Sequence, residues 1–99
     1  MSTNLGNGVA IPHARCPGLR AGLIVFGQCP DGVAFGSAVA EPVRLVFLLV
    51  TPAEQPEAQL SLLAQVARVC SETRTREALV RASSPAEVME ILGRPASGG

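Results

Sequence analysis

Apolar residues along this chain follow two regimes, short runs bounded by Gly and Pro first and helical spacing later. Residues 1–8, with Gly6 and Gly8, read as an irregular lead-in to a strand. Val9-Ala10-Ile11 is a brief apolar run that Pro12 brings towards an end, because Pro has no N–H for a strand ladder. Cys16-Pro17-Gly18 is a turn by composition. Leu19 to Gly27 has the β-branched and aromatic content of a second strand, covered on both faces. Pro30-Asp31-Gly32 signals another turn, so Gly27 to Ala40 reads as a loop or weak hairpin containing Phe35. Val43 to Val50 is the strongest strand. Its near-continuous Val, Leu and Phe imply a central position buried on both faces.

The remainder is helical. Thr51-Pro52-Ala53-Glu54 has a capping-box pattern, but Pro56 would interrupt a helix begun there. The start therefore falls near Pro56–Glu57, with Pro at the first helical position. Leu60, Leu63, Ala64, Ala67 and Cys70 recur at helical spacing, and Leu62, Val66 and Val69 widen that stripe. A short helix over Arg74 to Arg81 buries Ala78 and Leu79. In the last helix Ser84 is the cap, Pro85 the first residue and Glu87 the completion of the box. Val88, Ile91 and Leu92 form its apolar side and Gly93 ends it. Arg94 to Gly99 reads as a disordered tail. The expected architecture is α/β, layered in the α+β manner: a mixed sheet of about three to four strands packed by three C-terminal helices. One domain occupies residues 1–93, with 94–99 as its tail.

Composition narrows the function. Ninety-nine residues suffice for one small domain, which buries about 60–65% of the surface its unfolded chain exposes. With 47% apolar and 3% aromatic residues, the core is aliphatic, and Phe26, Phe35 and Phe47 are its large rings. Eight basic residues, all Arg, balance eight acidic ones. No basic stripe interleaved with aromatics is present, which argues against nucleic-acid binding. The run Leu45 to Val50 is too short to cross a bilayer, and no secretion signal opens the chain, so the expected compartment is the cytoplasm. Cys16, Cys29 and Cys70 form no C-x-x-C pair, against both a disulfide framework and a zinc site. They read as small, mostly buried thiols, with Cys16, three residues from His13, as the partial exception.

The segment Leu5-Gly6-Asn7-Gly8-Val9-Ala10-Ile11-Pro12-His13-Ala14-Arg15 carries the candidate chemistry. Its glycines allow positive φ and close backbone approach. A strand ending in Pro-His sets the one histidine of the chain at a sheet edge, where neighbouring loops form a cleft. Neutral imidazole is a good nucleophile, and its unperturbed pKa of about 6.5 suits reversible phosphoryl transfer. Where strand geometry persists past Pro12, Arg15 emerges on the side of His13 and offers charge to an anion. Cys16 is a poor partner for His13 in cysteine hydrolysis, since neither an oxyanion hole nor an orienting acid accompanies them. Arg44 is expected to snorkel or pair with Glu41, and Arg68, Arg74, Arg76 and Arg81 to lie on solvated helix faces.

The run Gly6-Asn7-Gly8-Val9-Ala10-Ile11-Pro12-His13-Ala14-Arg15 resembles the signature of the fructose/mannitol and nitrogen-regulatory enzyme IIA family (type 2) of the bacterial PEP-dependent phosphotransferase system (PTS). Pro42 to Pro52 resembles the family's central strand, Leu60 to Val69 its long helix, and Glu77-Ala78-Leu79 with Ser83 to Val88 its closing helices. The resemblance extends from about Ser2 to Leu92. It implies the family fold, and His13 as the catalytic residue, accepting a phosphoryl group through its ε nitrogen. Arg15, Gly8 and Gln59 are the binding residues it suggests, with no metal and no cofactor.

The implied donor is an HPr-like phosphocarrier protein, and the acceptor a IIB domain or a regulatory target. Family members often carry a second histidine where this chain has Gln59, which can donate a hydrogen bond but holds no positive charge. They also have a strand and helices before the glycine motif, including an arginine that helps hold the phosphoryl group. A chain without that part leaves one sheet face and an edge open, so it is expected to self-associate as a homo-oligomer. The alternative is a regulatory or sensory IIA-like domain that signals by binding, for example to a membrane transporter or antiporter.

Overall fold

Asn7 and Gly8 turn the chain back on itself. Both have positive φ, 56° and 77°, as a two-residue hairpin loop of the Asn-Gly kind requires. They fold strand β1 (Asn4–Gly6) antiparallel onto β2 (Val9–Ala10). The expected irregular lead-in is thus the arm of a hairpin, and Asn7-Gly8 was its signal. The computed structural model describes residues 4–33 and 42–93, with side chains from residue 7 onward. Phe35, Glu41 and the tail 94–99 fall outside them.

β2 and β3 (His13–Cys16) run along the same edge of the central strand β5 (Val43–Pro52). Val9 pairs in parallel with Leu45 and His13 with Leu49, so Ile11-Pro12 interrupts the ladder without changing its register. Pro12 lacks a donor, yet its carbonyl accepts the Leu49 N–H at 2.9 Å and keeps the two strands joined. On the other edge, β4 (Leu23–Val33) pairs antiparallel with β5. Counting β2 and β3 as one interrupted strand gives a mixed sheet of four strands with β5 at its centre, as expected.

β4 departs from its expected form. It begins at Leu23 rather than Leu19 and continues through Pro30-Asp31-Gly32. An edge strand tolerates proline, and the ladder slips between Gln28 and Val33, where Gly32 has φ 80°. Nor is it covered on both faces, for Leu23 and Val25 are about half exposed. Their partners on β5, Val50 and Leu48, are half-buried. β5 is therefore central but fully buried only on the face of Val43, Leu45, Phe47, Leu49 and Thr51.

Three helices cover that face: α1 (Pro56–Val69), α2 (Thr73–Arg81) and α3 (Pro85–Leu92). Val66, Leu79, Val80, Val88 and Ile91 from them join the β5 side chains in one core. Phe26 tilts against Phe47 with ring centroids 5.1 Å apart. α1 starts at Pro56 as expected, but the stripe it buries is Leu62, Leu63, Val66 and Val69. Leu60 is 68% exposed, and Ala64 and Ala67 share the outer face. Neighbouring positions lie about 100° apart around the helix, so the widened stripe spans more than one face, and the position of the sheet selects the part that is buried, together with Cys70 just past the helix end. α3 forms as expected: Ser84 Oγ accepts the Glu87 N–H at 3.1 Å, and Glu87 accepts from the Ser83 N–H at 3.1 Å and hydroxyl at 2.9 Å.

The arginines are more engaged than expected. Arg44 pairs with Glu77 at 2.9 Å, across to α2. Arg76 is half-buried, donating to the Cys70 carbonyl at the end of α1 and to Thr73 Oγ1. No helix among the described residues is long and apolar enough to cross a membrane.

Candidate functional site

His13 is the first residue of β3 because Pro12 has just interrupted the ladder. Its register with Leu49 sets it on the helix side of the sheet, half-buried, with Nδ1 shielded from solvent. Side chains alternate along a strand, so Arg15 shares the face of His13, and Ala14 and Cys16 take the other. Cys16 is exposed and stands on the wrong side of the strand to work with the imidazole.

The end of β3 is tied to the approach of α1. The Cys16 carbonyl accepts the Ala53 N–H at 3.2 Å, and Glu54 Oε2 accepts the Gly18 N–H at 3.4 Å. Pro56 opens the helix with its fixed φ and no N–H to satisfy, and Gln59 follows in the first turn. These ties bring two distant residues together: Arg15 Nε donates to Gln59 Oε1 at 3.4 Å. Arg15 is exposed and Gln59 half-buried. No carboxylate pairs with Arg15 among the described residues.

The sequence-based candidates thus separate. His13, Arg15 and Gln59 lie at one end of the sheet, from β3 and α1. Gly8 lies five residues before His13, about 16 Å away at 3.3 Å per strand residue. There its carbonyl accepts the N–H groups of Arg44 at 2.8 Å and Leu45 at 3.0 Å. A Cβ on Gly8 would stand 3.3 Å from the Pro42 carbonyl oxygen, so at that position glycine serves the turn and the close strand approach. Thr51, buried and in register with Arg15, entered the sequence reading only as the start of a capping-box pattern, because a Thr at the end of an apolar strand carries no pattern that marks a site.

A half-buried imidazole, an unneutralised guanidinium two residues on and a neutral amide beside it can receive an anionic group and spread its charge over N–H donors.

Comparison with known proteins adds independent findings. The model of the family described as "Phosphoenolpyruvate-dependent sugar phosphotransferase system, EIIA 2" matches residues 1–94. The nitrogen regulatory protein of Klebsiella oxytoca is 38% identical over 93 residues, covering 92% of this chain and 57% of that protein. The fructose-specific EIIA component of the PTS of Haloferax volcanii is 29% identical over 91 residues, covering 92% and 59%. The crystal structure of nitrogen regulatory protein IIA-Ntr from Neisseria meningitidis matches with a TM-score of 0.80 and 37% identity, over 92% of this chain and 62% of that one. The chain spans about three-fifths of the length of these relatives.

Proposed function

The chain belongs to the phosphoenolpyruvate-dependent sugar phosphotransferase system EIIA 2 family, and from that membership we propose that it is a phosphoryl carrier with His13 as the acceptor. The observation that carries this reading is the setting of His13. It is half-buried at a strand end, its Nδ1 is shielded, and Arg15 lies on the same face. With Nδ1 shielded from solvent, Nε2 is the nitrogen assigned to the incoming group.

In the proposed step, the Nε2 lone pair of neutral His13 attacks the phosphorus of a phosphohistidine on an HPr-like carrier. A new N–P bond forms as the donor's N–P bond breaks, and the donor imidazole leaves with that electron pair. Such transfers are loose and metaphosphate-like, so the protein contributes alignment and N–H donors around the equatorial oxygens. Arg15 supplies permanent charge. The phosphoryl group then passes to a IIB domain or to a regulatory target in the cytoplasm.

A second reading has its own support. Several of the similar proteins are named as nitrogen regulatory proteins, and Gln59 leaves the helix side of the site neutral. In that reading the same domain signals by binding a partner such as a membrane transporter, with phosphorylation of His13 as its switch. Either form is proposed to self-associate through the sheet face opposite the three described helices, around Leu23, Val25 and Leu48.

The test is phosphorus NMR after transfer from an HPr-type phosphocarrier. A resonance of phosphohistidine substituted at Nε2, absent in His13→Ala, supports carriage at this site. A Nδ1 isomer, or label on another residue, counts against it.

A further inference from the structure

Resting on His13 as the phosphoryl acceptor, we infer that Arg15 and Gln59 work as one anion-holding unit. Arg15 is the cation that grips the phosphoryl oxygens, and Gln59 is the positioning residue that sets its guanidinium. Arg44, Arg76 and Arg15 are used in three different ways. Arg44 is neutralised by Glu77 at 2.9 Å. Arg76 donates to the Cys70 carbonyl and to Thr73 Oγ1, at the junction of α1 and α2. Arg15 has neither kind of partner among the described residues. Its hydrogen bond goes to a neutral amide, so its charge stays available on the face it shares with His13.

The chemistry of that bond fixes orientation. Arginine only donates, so Gln59 must present its oxygen to Arg15. The bond uses Nε, which leaves both Nη groups, the bidentate edge suited to phosphate, for another acceptor. Alternate residues on a strand are about 6.6 Å apart at 3.3 Å per residue, within reach of an extended arginine side chain. A carboxylate at position 59 would hold Arg15 more tightly but cancel its charge. A small apolar residue would release it to solvent. Glutamine restrains the cation and leaves it charged.

The experiment uses the full chain and inorganic phosphate as the probe, with NMR of the Arg15 Nε–Hε group and the His13 ring. In the wild type, phosphate shifts both sets of signals and the Nε–Hε proton exchanges slowly. Arg15→Ala weakens phosphate binding about tenfold or more, the scale of a hydrogen bond to a charged group. Arg15→Lys, which keeps the charge without the planar fork, restores only part of it. Gln59→Ala weakens binding roughly threefold to tenfold and speeds Nε–Hε exchange. In the Arg15→Ala background it adds nothing, because its effect runs through Arg15. Gln59→Leu, which keeps the side-chain volume, gives the same result should the Ala variant fold poorly.

Independent losses that multiply in the double variant overturn the unit. So does phosphate binding that ignores Arg15, or a wild type that shows no phosphate response. Those results leave transfer to His13 standing if an HPr-type carrier still phosphorylates it. Intact phosphate coupling without any transfer sinks the carrier reading instead.

Discussion

Gln28 on the edge strand β4 donates its side-chain amide to the Leu79 carbonyl across 2.7 Å, closing the C-terminal end of α2. The same amide reaches the Ala82 carbonyl at 2.8 Å. Helix ends leave carbonyls without intrahelical donors, and here a strand side chain supplies the donor. Gln28→Ala is expected to destabilise the fold by about 1–3 kcal/mol, the cost of leaving partly buried acceptors unmade. Urea unfolding measures it. Phosphate transfer should be unchanged, since Gln28 pairs with Leu45 and His13 with Leu49, four residues further along β5.

Gly8→Ala tests the hairpin turn. The residue has φ 77°, a conformation that costs an L-residue about 1–2 kcal/mol, and the added Cβ would crowd the Pro42 carbonyl. One kcal/mol corresponds to about 4–8 °C in melting temperature for a domain of this size. A fall of roughly that size in thermal unfolding is expected. An unchanged midpoint would mean the turn relaxes without strain.

The sheet face opposite the three described helices predicts association. Leu23 and Val25 are 49% and 50% exposed beside half-buried Leu48 and Val50, and contiguous apolar surface of this kind seeks a partner. Sedimentation velocity should show a concentration-dependent oligomer, and Val25→Lys should shift it towards monomer while preserving the fold. A wild-type chain that stays monomeric at high concentration contradicts the expectation.

Cys70 gives a pH signature. Burial pushes its thiol up from 9.0 to about 11, against a smaller opposing effect of Arg76. Between those values the native chain keeps a proton that the unfolded chain has lost. Stability therefore falls as pH rises from about 9 towards 11, and this contribution is flat below 9. The chain has no Tyr and its cations are all Arg, so few other groups titrate in that window. Denaturant midpoints at pH 8 and 10.5 should separate for the wild type and converge in Cys70→Ala. Exposed Cys16 should react with an alkylating reagent far sooner than Cys70.

The parts of the fold legible in the sequence are those that local chemistry decides. Ser84, Pro85 and Glu87 announce α3, Pro56 announces α1, and the run Val43 to Val50 announces the central strand. Asn7-Gly8 held an equally local hairpin signal, masked by reading Gly6 and Gly8 as looseness. What was not legible depends on distant surfaces. Leu60 and Leu63 both fit a helical stripe, and the sheet decides that Leu63 turns inward. Pro30-Asp31-Gly32 looks like a turn, but an edge strand absorbs it as a slip in register. At the site, His13 and Arg15 were visible as alternate residues of one strand. The bond from Arg15 to Gln59 was not, because it spans 44 positions of sequence and exists only once β3 and α1 are folded together.

The central claim is that His13 accepts a phosphoryl group. The most direct test incubates the chain with enzyme I, HPr and phosphoenolpyruvate, then records intact mass at neutral or alkaline pH to preserve phosphohistidine. The account predicts a gain of one phosphate in the wild type and none in His13→Ala. No gain in the wild type, while a longer EIIA relative in the same mixture is phosphorylated, would contradict it.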